Sequence, residues 1–185
     1  RVYGGVRFGG SMVIEDAWAL GFDHLAIAVG AGLPKALPVD RSLAPGMRQA
    51  NDFLMALLLS DATQPDSLCD IQVELPAVVI GGGLTAVDAA TECQAYYIVQ
   101  VERVLLRYEA LQDGRSEAAV LRAMDAPSQQ KIRRMLAHGR LIRQERDLAR
   151  KEGRHPNLMR LIQQWGGVHI VYRQMMSDSP AYRRN

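Results

Sequence analysis

At 185 residues, with 48% hydrophobic and 23% charged content, the chain is long enough for one domain or two small ones and too apolar for wholesale disorder. Its net charge of +2 is too near neutral to imply a nucleic acid or an anionic membrane as partner. The longest apolar run, Phe53–Leu59, falls far short of the roughly 20 residues of a membrane span.

Val6–Phe8 reads as a short strand, and Ile14–Leu20 as a short helix stopped by Gly21. His24–Val29 is apolar throughout and ends in Gly30-Ala31-Gly32, which predicts a buried strand of the parallel type. Pro34 and Pro38 make Leu33–Ser42 an extended crossing segment. Helix is expected from about Arg48 to Ser60, with Ala50, Phe53, Leu54, Leu57 and Leu58 on one face. Asp61–Glu74 reads as a polar loop.

The most informative stretch follows. Ala77–Ile80 is a short apolar strand, Gly81-Gly82-Gly83 is a tight turn, and a run rich in helix formers follows Leu84 and Thr85. A G-x-G-x-x-G/A fingerprint needs this strand–turn–helix context. Gly81 allows the sharp turn. Gly83, without a side chain, lets a pyrophosphate approach the backbone. Ala86 takes the third position, where a small residue permits close helix–strand packing. The first amides of the helix then point at the phosphates. These residues predict a dinucleotide site, against the alternative of a purely structural glycine turn.

Helical character persists through Thr91–Leu111 until Asp113-Gly114 breaks it. A further helix is expected from Pro127 or Ser128 to about Lys151, with Ile132, Met135, Leu136, Gly139, Ile142 and Ala149 recurring at helical spacing among many arginines. Leu158–Trp165 is a short helix that exits through Gly166-Gly167 into the strand Val168–Arg173. In an ordinary dinucleotide fold the second strand arrives sooner. Either Ile98–Asn157 is a helical insertion or Arg103–Tyr108 is the second strand; the cleaner strand at Val168–Val171 favours the insertion.

Four stretches taken together carry a resemblance: Phe22–Ala31, Pro45–Leu54, Val78–Asp88 and Val171–Arg173. In order and spacing they resemble the flavin-dependent pyridine-nucleotide oxidoreductases, nearest the branch of the bacterial glutamate synthase small subunit, which shares this order with dihydropyrimidine dehydrogenase. The resemblance covers roughly residues 20–90 and 157–185. It implies that Phe22–Ala31 ends a discontinuous FAD domain, that Gly30 and Ala31 lie by the flavin, and that Gly81–Ala86 hold the NADPH pyrophosphate. It further implies that Arg173, joined by Arg183 and Arg184, reads the adenosine 2′-phosphate. Charge logic agrees, since an NAD-type site wants a carboxylate there and an NADP-type site an arginine. Leu84 departs from the polar residue that relatives carry at its position. The FAD fingerprint, the rest of the nucleotide domain and any iron–sulfur ligands do not appear.

Other features read blandly. Cys69 and Cys93 form no C-x-x-C pair, as in a reducing cytoplasm. That speaks against a disulfide reductase of the thioredoxin-reductase kind. His24, His138, His155 and His169 lack companions at metal-ligand spacing. Asp88 has a claim on the site, weaker than its claim to be a surface cap; Tyr172 reads as packing. The arginines of Lys131–Arg154 read as a solvated face or, less often, a docking surface, without the aromatic platforms of a nucleic-acid binder.

The expectation is therefore an α/β fold with a partial Rossmann-like parallel sheet and a large helical insertion. Residues 1–44 end an FAD-binding domain, 45–97 and 157–185 form a partial NAD(P)-binding domain, and 98–156 are the insertion. The start at Arg1 and the end at Asn185 look cut from a longer polypeptide. Functionally the chain reads as part of an enzyme that binds NADPH and passes hydride to FAD, with the other domains or a partner subunit completing it. A non-catalytic module docking a partner through the insertion is the alternative. Bare sheet edges predict self-association of the isolated piece.

Overall fold

The computed structural model describes residues 4–28, 38–42, 44–69 and 71–183. The chain divides into two compact units, Arg1–Ala36 and Leu37–Asn185.

In the first unit, helix α1 spans Ile14–Ala19, where the Val13 amide donates to the Asp16 carboxylate at 2.8 Å. It stops as expected at Gly21, whose φ of +85° suits a residue without Cβ. The strand expected at Val6–Phe8 reduces to one isolated bridge between Phe8 and Met12. The strand expected from His24 is not formed either: residues 24–28 are irregular and exposed, with Ile27 79% accessible. An apolar run becomes a buried strand only when another strand supplies its hydrogen bonds and a layer covers it. Among the described residues of this unit neither is present. Val29, Gly30 and Ala31 lie outside the described residues.

The second unit is mixed helix and sheet, so the α/β class holds. Helix α2 (Ala50–Leu59) precedes strand β1 (Ala77–Ile80), which runs through the glycine turn into α3, a single helix spanning Leu84–Gln112. Asp113, in the left-handed region at φ +30°, ends it. Helices α4 (Glu117–Leu121), α5 (Ala126–Lys151) and α6 (Leu158–Gln164) follow, capped by Ser116, Asp125 and Asn157 side chains that accept first-turn amides. Strand β2 (Val168–Val171) then pairs parallel with β1, Ala77 opposite Val168 and Ile80 opposite Val171. Of the two readings of the second strand, the late one is formed, while Arg103–Tyr108 is helical. Helix α7 (Pro180–Arg183) closes the described chain.

One apolar core joins Phe53 and Leu57 of α2, Tyr96, Tyr97 and Val101 of α3, Met135 and Ile142 of α5, and Leu161 and Ile162 of α6. The boundary expected at 97/98 falls in the middle of α3, inside this core. Gly139 of α5 sets how closely the two long helices approach: a Cβ there would lie 2.9 Å from the Val101 carbonyl oxygen and 3.1 Å from Leu105 Cβ. The arginines of α5 bridge outward. Arg143 and Arg146 hold Glu109 and Glu102 of α3 in two-pronged pairs at 2.7–3.0 Å, and Arg133 holds Glu117 at 2.9 Å. Such surface pairs add little stability each.

Among its described residues the stretch 61–74 is the polar loop expected, though parts of it are buried. Ile71, Val73 and Leu75 are buried, and α3 side chains satisfy the backbone. Gln100 clamps Val73, accepting from its N–H and donating to its carbonyl, both at 2.8 Å. Tyr96 donates to the Ile71 carbonyl at 2.9 Å, and Arg103 and Arg107 donate to the carbonyls of Ala62, Gln64 and Ser67.

Glu145 of α5 is 5% exposed and fastens the α5–α6 connection. It accepts from Arg154 at 2.6 Å and from the Asn157 amide at 2.8 Å, with Arg160 at 3.9 Å. The Arg154 and Asn157 hydrogen bonds hold its carboxyl down at about 2. A depressed carboxyl stabilises the fold above its ordinary value and loses that contribution as pH falls toward the folded one. Glu145→Gln should therefore lower the thermal midpoint at pH 7, and the deficit should shrink as pH falls from 4.5 toward 2. A deficit independent of pH would refute the ionic assignment.

Candidate functional site

The site is built on the turn between β1 and α3. The ladder carries the chain to its threshold, since the Gly81 N–H donates to the Val171 carbonyl at 3.0 Å. Gly81 then takes φ +149°, and a Cβ there would sit 3.3 Å from Ala86 Cβ. This is the close strand–helix packing that the spacing of Gly81 and Ala86 predicts.

Gly82 and Gly83 face opposite fates. A Cβ on Gly82 would collide with the Tyr172 ring at 2.6–2.8 Å. The Gly82 carbonyl accepts from the Ser179 hydroxyl at 2.6 Å and from the Ala181 amide at 3.1 Å. This face of the turn is covered by the chain that follows β2. Gly83 has nothing within 4 Å of where its Cβ would be. It is the N-cap of α3, with no side-chain cap and no acidic residue in the first turn. Among the described residues, the amides of Gly83, Leu84 and Thr85 donate no hydrogen bond. Leu84 and Thr85 are exposed, Ala86 buried. The site is thus a helix N-terminus of free donors on open ground, a setting that attracts an anion.

Beside it lies a cleft of about 360 Å³ lined by Gly81, Gly82, Val87, Ile170, Tyr172 and Tyr182, among others. Tyr172 forms one wall, its hydroxyl donating to Gln174 at 2.9 Å. Arg173 is exposed, is not part of this lining, and has no ion-pair partner among the described residues. Arg183, expected to join Arg173, donates to Asp178 at 2.7 Å and to the Ser177 carbonyl at 3.4 Å. A guanidinium already held by a neighbouring carboxylate is a poor candidate for a second anion. Arg184 lies outside the described residues. Asp88 is exposed on α3. Reading the sequence did not single out Ser179, Ala181 and Tyr182. Only Pro180, a good first residue for a helix, signals the return that brings them here.

Among the described residues no group of His, Cys, Asp and Glu is arranged to hold a metal, and no helix is long and apolar enough to cross a membrane. Burial pushes the Cys93 thiol up to about 11, away from thiolate chemistry. His169 is tied to the Gly166 carbonyl at 2.7 Å.

No family model matches the chain, and no solved structure matches it. The chain is similar to "Uncharacterized protein RP006" of Rickettsia prowazekii (strain Madrid E), 32% identical over 185 residues. That match covers 100% of this chain and 24% of the relative, so the chain spans about a quarter of the relative's length.

Proposed function

We propose that the chain carries part of the NADPH-binding region of a flavin-dependent oxidoreductase. The observation that supports this most is the row of free amides at Gly83, Leu84 and Thr85, opening α3 directly after a strand of a parallel pair. Gly83 would let the pyrophosphate reach those donors, while Gly81 and Ala86 keep helix and strand close enough to aim them. The neighbouring cleft has the volume and apolar walls for a flat aromatic base. When bound, the nicotinamide supplies a hydride and FAD accepts it; the protein supplies binding and orientation. Arg173, exposed at the end of β2, is the residue left to meet a 2′-phosphate. Parts of the protein beyond these residues would bind most of the FAD, with Gly30 and Ala31 contributing.

The rival reading, a module that docks a partner through its inserted helices, loses support because Arg133, Arg143 and Arg146 of α5 are engaged within the chain. The sheet gives self-association more support. Its order is β1-β2, so each strand has a free edge among the described residues, and Val78, Ile80 and Val171 are more than half exposed.

The test is thermal unfolding with NADPH and with NADH. A nucleotide at a hundred times its Kd stabilises by about 2.7 kcal/mol, raising the midpoint of a chain this size by roughly 5–10 °C. Gly83→Trp should abolish the rise without harming the fold, since Gly83 faces open space at an ordinary φ of −92°. Arg173→Ala should erase the preference for NADPH over NADH. No rise with either nucleotide would overturn the reading.

A further inference from the structure

We propose that Ser179 is a positioning residue: it fixes the Gly82–Gly83 peptide so that the Gly83 N–H faces the nucleotide diphosphate. The inference rests on the nucleotide reading of the site. In a trans peptide the C=O and the following N–H point in opposite directions. The Gly82 carbonyl is drawn toward the chain after β2 by two donors, the Ser179 hydroxyl at 2.6 Å and the Ala181 amide at 3.1 Å. The Gly83 N–H must then point the other way, to the open side where Leu84 and Thr85 present their own free amides.

The pinning is needed because both residues are glycines. The freedom that brings backbone close to a phosphate also lowers the barrier to turning the peptide over. A flipped Gly82–Gly83 peptide would put a carbonyl oxygen where the donor had been, beside a doubly charged linker. Ser179 opposes this from 97 residues away in sequence and is 4% exposed, so its hydroxyl cannot be replaced freely by water.

The surrounding segment holds Ser179 in place. A 3-10 turn, Met176–Asp178, leads into it, and the Arg183 N–H donates back to its carbonyl at 3.1 Å. The Arg183 side chain staples the same segment through Asp178 and Ser177. Arg183 thus acts on the site through the latch rather than by touching phosphate. The Tyr172 ring packs against Gly82, its atoms 2.6–2.8 Å from where a Cβ would sit.

The experiment is titration of the wild-type chain, Ser179→Ala, Ser179→Thr and Ser179→Cys with NADPH and with inorganic pyrophosphate, alongside the amide NMR resonance of Gly83. Ser179→Ala should weaken both ligands about three- to tenfold, the scale of one hydrogen bond, and shift the Gly83 resonance before ligand is added. Ser179→Thr, which keeps the hydroxyl, should restore binding. Ser179→Cys, a weaker donor, should fall between, and it carries the test should Ser179→Ala fail to fold. If the wild type binds NADPH and all variants bind equally, the latch is wrong and the nucleotide reading stands. If the wild type binds neither ligand, both fall together.

Discussion

Gly139→Ala is expected to destabilise the protein, although glycine-to-alanine changes in helix interiors ordinarily help. The propensity gain is about 1 kcal/mol. Against it stands the α3–α5 contact, where the new methyl would lie 2.9 Å from the Val101 carbonyl oxygen. That neighbour is backbone in the middle of a long helix and can move only if the helices part. Leu105, whose Cδ2 would be 3.3 Å away, could turn aside; Val101 could not. Overpacking of a tight core costs about 1–3 kcal/mol, so the net loss for alanine reaches about 2 kcal/mol, or up to roughly 8 °C in thermal midpoint. Gly139→Leu should cost more and loosen the core shared by Val101, Met135 and Ile142. A midpoint that rises with alanine would show that the helices do not approach this closely.

The second large effect is expected at His138. Its ring stacks on Trp165 at 3.9 Å and 4°, and its Nδ1 lies 2.7 Å from the Tyr97 hydroxyl. Three elements meet here: α3 through Tyr97, α5 through His138, and the exit of α6 through Trp165. Burial, then the positive charge of Arg134, pushes the imidazole down to about 4. Burial also raises the Tyr97 hydroxyl to about 12, so it stays a donor. An unfolded chain protonates histidine near 6.5. Between 6.5 and 4 the unfolded state therefore holds a proton that the folded state refuses, and stability falls as pH is lowered through that window. The loss should be about 1–2 kcal/mol, allowing for solvent screening of a half-buried group. Urea unfolding at pH 8, 6.5 and 5 measures it. His138→Phe keeps a flat ring against Trp165 and removes the titration. It should be less stable than wild type at pH 8, where Tyr97 loses its acceptor, and the gap should narrow at pH 5, still above the range of the ordinary carboxyls. A gap that stays constant would rule out the buried neutral imidazole.

Local signals in the sequence were strong wherever the chain decides its own conformation. Asp113-Gly114, Gly153 and Gly166-Gly167 end helices where they were expected to, because caps and left-handed residues act within a few positions. Ala77–Ile80 and Val168–Val171 were legible as strands from their apolar runs, and they pair in parallel. What was not legible depended on partners far along the chain. His24–Val29 carries the same apolar signal as Ala77–Ile80, yet residues 24–28 have no neighbour to pair with among the described residues. Ile71-Gln72-Val73-Glu74-Leu75 alternates apolar and polar, which is a strand-like signal, but its backbone is taken up by Gln100 and Tyr96 of a helix. The glycine turn itself was legible residue by residue. That Gly82 would be covered and Gly83 left open was not, because Tyr172 and Ser179, distant in sequence, cover Gly82.

The unbroken run of α3 has a mechanical consequence. At 1.5 Å per residue its 29 residues make a rod about 43 Å long, with the glycine turn at one end. A tilt of only about 5° around the first turn would swing the opposite tip through roughly 4 Å. A group bound at Gly83 would sit at one end of this rod, and α5, packed along it at Gly139, would share any such tilt.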